Sequence, residues 1–577
     1  MAESVNGGND NPKPPKELST ELRLLLAFVL MGLVVFLTPY FVKTTPPPAH
    51  KPGAAAVSKQ EPAAATDAAA ASTTAQTPKN EPAAEPAQPA PGATPQQPQP
   101  PLVINTDLYR VVFSNQGADV RSWQLKHFKG NDDKPLELTN PASGLPYPFS
   151  VRFPEQQPTT DVNWRYFQQT LDPDGLGVSY TYSDGHTVVH KSFRFQKNSY
   201  LVQVTEDATL NGNPLPSQVA WLGGFGDLTV GNPSIAGRAI YFNLADNKLT
   251  EHYAKSGNAT ASGDLSFAGL TDAYFADVFL PQDSSNMQVA MFADKAPTVL
   301  NKTAQPQTGI AVSDGAVNHF KVFVGPKDYN LLKSVDPKLE QVVDFGWLSF
   351  LAKPLFLLVN YFNGAFVHNF GWSIVLVTIA INMALFPLRL SNMKSMRKMQ
   401  ALKPQIDTIN AKYKNVGLRD PRKADQNQEV MDLYKKYGVN PMGGCVPMLI
   451  QIPFFFAFYQ VFRVSVEMRG ASWLWVPDLA QAEPWPIKVL PIVMIATQLL
   501  MQKMTPQPNA DPNQAKMMKL MPLIFGFMFW NFPAGLVLYY LTSNLVNIGQ
   551  QWFFNQTEAA QEAARSVEPP KKKNGRK

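Results

Sequence analysis

One cysteine, Cys445, occurs in 577 residues, so no internal disulfide framework can form. Histidine is also scarce. His127, His186, His190, His252 and His319 are scattered and show no metal-ligand spacing. No Gly-x4-Gly-Lys-Ser/Thr loop occurs, which removes the usual phosphate cradle of nucleotide-driven machines. Charged residues make up only 17%, and the formal net charge of +6 is too small for a nucleic-acid-binding face. The sequence contains no catalytic constellation and no motif that calls for a metal or cofactor, so it reads as a non-enzyme.

What the chain does have is sharply uneven. Residues 1–21 are polar, with Lys13, Lys16 and Arg23 before or at the start of an apolar run. That run, within 22–42, is just long enough to span a bilayer. It is longer than the core of a cleavable signal and has no small-x-small site close behind, so it predicts an uncleaved signal anchor with a cytoplasmic N-terminus. Residues 43–101 are rich in Pro, Ala, Thr and Gln, cannot form a packed core, and predict a disordered tether.

Residues 102–335 change to period two. Tyr109–Phe113, Val178–Tyr182, Thr187–His190, Tyr200–Val204, Gln288–Phe292 and His319–Val324 alternate apolar and polar residues. Asp184-Gly185 between two of these runs is a hairpin signal. Many short strands separated by turns predict an exported β-sandwich.

From residue 336 the chain is apolar and aromatic. The stretch within 336–370 predicts an interfacial helix along the outer leaflet, because a span there would reverse the charge pattern that follows. Spans are expected at about 371–390, 445–466, 487–503, 515–531 and 534–554, with a cytoplasmic helical hairpin over 391–444. Twelve basic residues from Arg389 through Lys436 face five acids, which places that hairpin in the cytoplasm. With the anchor, six spans put both termini inside. The tail, 557–577, ends in KKKNGRK, a sequence suited to ribosomal RNA, anionic lipid or simple anchoring.

Polar residues at membrane depth are costly and face a partner helix or a wet cavity. Thr378, Asn382, Gln451, Tyr539, Tyr540, Ser543 and Asn544 are the candidates for such a cavity. Helix–helix hydrogen bonding is the structural alternative for the same residues. Of 19 methionines, 15 lie between Met383 and Met528. Flexible thioethers suit surfaces that accept varied apolar partners, and Met393, Met396 and Met399 are the candidates for touching a substrate. Ordinary core filling is the alternative.

From about Gly371 to Gln551 the chain resembles the YidC/Oxa family of membrane protein insertases. The resemblance rests on Phe386-Pro387-Leu388, Met399 through Pro404, VNPMGG ending at Gly444, LIQIP from Leu449 to Pro453, Gln502-Lys503-Met504, and FPAGLVLYY ending at Tyr540 followed by Ser543-Asn544. The order of anchor, exported β domain, interfacial helix and five spans is similar to the Gram-negative branch. SNQGADVRSWQLKHF, from Ser114 to Phe128, resembles the opening strands of that branch's β-supersandwich. The resemblance implies insertion and chaperoning of integral inner-membrane proteins, alone or with the Sec translocon, through a hydrophilic groove open to cytoplasm and lipid. Nascent membrane proteins, the Sec translocon, the ribosome and anionic lipids are the implied partners. The chain departs from the family at one point: the arginine typical of the first core span is Asn382 here. Arg389, seven residues on, falls on nearly the same face of a continuous helix. Arg389 therefore either supplies the groove's positive charge or only anchors topology. Two rival readings are a secondary transporter, which would show inverted repeats, and an envelope structural protein working through the β domain.

Overall fold

The computed structural model describes residues 93–562 except 95, 131–132, 141–143, 228–236, 283–285, 297–304, 415–419, 421, 440–445, 506–511 and 558–560. The expected signal anchor at 22–42, most of the tether, the hairpin tip and the basic tail lie outside the described residues.

The first half folds into antiparallel sheets. A small sheet takes its four strands in order from Leu102–Asn105, Tyr109–Ser114, Asp119–Lys129 and Pro135–Glu137. A larger sheet runs from Ser150–Arg152 at one edge to Gln168–Leu171 at the other. The long strand Ala259–Thr271 changes partners along its length: Ala259–Asp264 pairs with Asn286–Met291, and Ala268–Thr271 pairs with Ala276–Phe279. Gly263 sits near the switch at φ +129°, a backbone state that costs a glycine little. The sheets close on an aromatic core. Trp123 stacks on Phe149 at 6.3 Å, and Phe149 meets Trp221 at 5.5 Å and Phe193 at 5.4 Å. The Asp184-Gly185 turn forms as its sequence predicts. Asp184 Oδ1 accepts from Thr187 N at 2.7 Å, and Gly185 takes φ +90°.

The alternation in Thr187–Phe195 buries every second residue, which carries Lys191 inward with Val189 and Phe193. Its ammonium donates to the carbonyls of Phe149 (2.7 Å), Gly117 (2.8 Å) and Ala118 (3.3 Å). Glu206 lies opposite on the next strand. Burial pushes its carboxyl up to about 7 and pulls the Lys191 ammonium down to about 8. The last tether residues also lie against the sheet. Tyr166 N donates to Gln96 Oε1 at 3.1 Å, and Asn115 Nδ2 donates to Gln97 O at 2.9 Å.

Ten helices follow among the described residues: α1 (Tyr329–Val335), α2 (Ser349–Phe362), α3 (Phe370–Ala384), α4 (Phe386–Ala401), α5 (Lys403–Lys412), α6 (Arg422–Lys436), α7 (Val446–Val464), α8 (Val489–Met504), α9 (Pro512–Phe529) and α10 (Ala534–Gln556). Helix α10 packs on α3 and α8, α9 on α8, and α2 on α3 and α7. The stretch Gly346–Val367 is apolar and long enough to cross a membrane by length and composition. It buries Ala352, Phe356 and Val359 while leaving Trp347 and Phe350 more than 70% exposed. Shorter apolar helices cover Leu449–Val464, Val489–Met504 and Leu520–Phe529.

The expected continuous helix through Asn382 and Arg389 is interrupted. Helices α3 and α4 meet at 59° across Leu385. Pro387 has no N–H to offer the preceding turn, so one rung of the ladder is missing beside Leu385. Arg389 is therefore carried on a second helix, set at an angle to the one that carries Asn382.

Candidate functional site: a polar seam in the helical core

Helix α3 starts on an Asn369 cap whose Oδ1 accepts from Trp372 N at 3.2 Å. It then turns Ser373, Thr378 and Asn382 inward, all buried. Thr378 Oγ1 donates back to Ile374 O at 2.6 Å, which satisfies the hydroxyl locally. Asn382 Nδ2 donates to Thr378 O at 2.8 Å, leaving its Oδ1 free to accept from Ser543 Oγ of α10 at 3.3 Å. Asn544 Nδ2 reaches Thr497 Oγ1 of α8 at 3.4 Å. Gln451 of α7 donates to the Tyr539 hydroxyl at 2.6 Å, and the Tyr539 ring stacks on Phe458 at 4.3 Å. Tyr540, on the next position of α10, packs its ring against Phe529 at 5.1 Å.

Seven of the eight expected groove residues, Arg389 among them, hydrogen-bond to residues of a neighbouring helix or of their own helix. Thr378, Asn382, Ser543 and Asn544 line the seam directly, with Gln451 and Tyr539 one turn of α10 away. Tyr540 turns toward α9. Arg389 lies beyond the bend, yet its guanidinium points at α10, where Nη1 donates to Gln550 Oε1 at 3.5 Å. No carboxylate lies within ion-pair distance of Arg389 among the described residues.

The end of the seam toward the β domain is closed. The loop between α7 and α8 buries Val476, Leu479 and Trp473. Its carbonyls at Leu479 and Gln481 accept from Gly535 N and Ala534 N at the start of α10, at 2.9 and 2.7 Å. Glu483 accepts from Trp475 Nε1 (2.7 Å) and Leu490 N (3.0 Å), pinning the loop to α8. Trp473 seats directly on Gly371 of α3.

The methionines expected to touch substrate are placed differently. Met393 is buried with Phe554, Phe386 and Leu390, and Met399 is buried with Leu402, Ile406, Tyr434 and Val439, with Met396 packed against that cluster. Core filling accounts for these positions, because a helix that folds back on a neighbour buries the face it presents. Among the described residues, Met383 and Met431 stay exposed.

Gln550 is the residue that reading the sequence missed. It is buried and touches both sides of the bend, since its Nε2 also donates to Asn382 O at 3.3 Å. The available signal was position: Ser543, Asn547 and Gln550 recur at i, i+4 and i+7 on α10. Thr497 was missed for the same reason. Two cavities were also illegible in the sequence. One of about 190 Å³ lies in the β domain beside Arg152 and Asn163. The other, about 440 Å³, lies where His127 and Tyr200 meet Glu467 and Arg469.

Comparison with known proteins agrees with this layout. The family model described as 60Kd inner membrane protein matches residues 361–562, and that of the YidC periplasmic domain matches residues 101–358. The membrane protein insertase YidC of Syntrophus aciditrophicus (strain SB) is 35% identical over 561 residues, covering 92% of this chain and 99% of that protein. That of Cupriavidus metallidurans is 38% identical over 401 residues, covering 67% of this chain and 70% of that protein. The crystal structure of YidC from Thermotoga maritima aligns over 78% of this chain and 99% of its own, at 16% identity and a TM-score of 0.29. The matched models together span the β domain and the helical core, so this chain belongs to the YidC family and is an inner-membrane protein insertase with a periplasmic β domain.

Proposed function

We propose that the hydrophilic part of a substrate crosses at the seam between α3, α4, α8 and α10, entering from the basic side. The observation that carries this reading is the asymmetry of the seam. Polar side chains from four helices gather on one side, while the loop bearing Trp473 closes the other. Bringing charges and backbone into hydrocarbon is opposed by their desolvation. A polar notch shortens the hydrocarbon to be crossed, and transfer of the substrate's apolar segment to lipid then drives the step at roughly 25 cal/mol per Å² buried. The Asn382–Ser543 and Asn544–Thr497 bonds are exchanged for bonds to the passing chain. Such interhelical bonds are worth about 0.6 kcal/mol each, so they are separable.

Arg389 is the seam's cation in this reading. It stands where a groove charge would, in place of one at position 382, and its only described partner is a neutral amide. An acidic substrate residue would supply the missing counter-charge. The six-span topology with both termini cytoplasmic, the flat placement of residues 346–367 on the outer leaflet, and contacts with the Sec translocon, ribosome and anionic lipid belong to the same proposal. The exposed Trp347 and Phe350 support the interfacial helix.

The test uses the full chain in vesicles and a short single-span substrate with a hydrophilic tail. Arg389→Gln should slow an acidic tail several-fold and leave a neutral tail within twofold. Asn382→Leu should slow both. Equal rates for all three proteins with both tails would end the proposal.

A further inference from the structure

We propose that Gln550 is a positioning residue that latches the bend between α3 and α4, and so fixes how the mouth of the seam rests; this builds on the seam reading above. The bend is a weak point by construction. Helices α3 and α4 join through the single residue Leu385 at 59°. Across it run Leu385 N to Ile381 O at 3.0 Å and Arg389 N to Leu385 O at 3.1 Å. Pro387 cannot add a third bond. One side chain from outside spans the gap. Gln550 Nε2 donates to Asn382 O, on the last turn of α3, at 3.3 Å. Gln550 Oε1 accepts from Arg389 Nη1, on the first turn of α4, at 3.5 Å.

The chemistry suits a carboxamide and no other side chain of that length. A glutamine offers a donor to the carbonyl and an acceptor to the guanidinium at once. Glutamate would keep only the acceptor, leucine neither, and asparagine is one methylene short of reaching both partners. One turn further along α10, Phe554 packs on Met393, Phe386 and Leu390, so the same helix face holds α4 by apolar contact as well. Both latch bonds are near the long limit for hydrogen bonds, which makes the latch releasable. Its leverage is large. Helix α4 is about 24 Å long, so a 10° change at the bend moves its far end, at Ala401, by about 4 Å.

The experiment measures the bend directly. The full chain with Cys445→Ser, Ala380→Cys and Gln400→Cys carries spin labels at two exposed positions on α3 and α4. It is placed in vesicles of phosphatidylethanolamine and phosphatidylglycerol. Double electron–electron resonance then gives the interlabel distance, and substrate insertion is timed in parallel. With Gln550 present, one narrow distance is expected. Gln550→Leu and Gln550→Asn should broaden or shift it by a few ångströms and slow insertion about fivefold, while Gln550→Glu should retain the Arg389 arm and fall between. The asparagine variant keeps an amide in the seam and covers the case in which the leucine variant fails to fold. Unchanged distances in the Leu and Asn variants overturn the latch, even if Asn382→Leu still slows insertion and the seam reading stands. Altered distances with unaltered insertion by both Gln550→Leu and Asn382→Leu would uphold the latch and overturn the seam.

Discussion

Gly371→Ala gives a prediction in which two physical effects oppose each other in sign. Gly371 lies in the first turn of α3, where alanine is the better helix former by at most about 1 kcal/mol. Propensity alone therefore predicts a stabilised protein. The structure predicts the reverse. A Cβ on Gly371 would sit 2.5 Å from Trp473 Cβ and closer still to the indole ring. Carbon atoms in contact stand about 3.5–4.0 Å apart, so the tryptophan must retreat by about 1 Å or more. It has little room to do so. Its backbone is bonded both ways to Val476, at 2.9 and 2.8 Å, and its ring meets Trp372 edge-on at 5.6 Å. Overpacking of this kind costs about 1–3 kcal/mol, which outweighs the helix gain. The net loss of about 1–2 kcal/mol should lower the melting temperature of the full chain in detergent by roughly 1–2 °C, because the unfolding entropy grows with chain length. The tryptophan emission should also shift as the Trp372–Trp473 pair separates. Vesicles bearing the variant should leak protons faster, because the same contact closes the seam on the β-domain side. A melting temperature raised by Gly371→Ala, with no added leak, would refute the packing argument and the role given to Trp473.

Other consequences follow from buried charges. Burial raises the folded Glu206 and Asp119 carboxyls to about 7, above their unfolded values. Their contribution to stability is therefore complete below about pH 4.5 and 3.8 respectively and is lost as pH rises through about 7. Hydrogen exchange in strand 201–210 should be slower at pH 5.5 than at pH 8 after correction for the intrinsic rate, and Glu206→Gln should flatten that difference. Lys191→Met leaves three buried carbonyls without their donor and should cost about 3–5 kcal/mol, read as lost exchange protection in strand 187–195. Arg469 ion-pairs with buried Asp227, donates to Lys129 O at 3.0 Å and lies over the Tyr274 and Phe275 rings. Arg469→Met should cost about 3 kcal/mol and expose the loop near residue 469 to protease, whereas an unchanged cleavage pattern would show that other contacts suffice.

Much of this architecture was legible in the sequence because it rests on local periodicity. Alternation alone located the strands around Tyr109, Thr187 and His319, and Asp184-Gly185 fixed a turn. The same alternation places Lys191 and Glu206 on the inward face. They escaped notice because charged residues are rarely buried, so the pattern was read from its apolar members. The polar residues of α3 and α10 could be named from their cost at membrane depth, but their pairing could not. Asn382 meets Ser543 across 161 positions of sequence. The bend at Leu385 was foreshadowed by Pro387, but not that Arg389 beyond it would meet the same α10 residue, Gln550, as Asn382 does. Whether Met393 and Met399 look outward depended on which helices fold back on them, which no local pattern records.

The most direct test of the seam is site-specific photocrosslinking to a stalled nascent membrane protein in intact membranes. A benzophenone amino acid is placed at Asn382, Gln451 or Ser543, and at Phe527, which is 74% exposed on the outside of α9. The account predicts strong adducts from the three seam positions and weak ones from Phe527. Adducts concentrated at Phe527, with the seam positions silent, would contradict it.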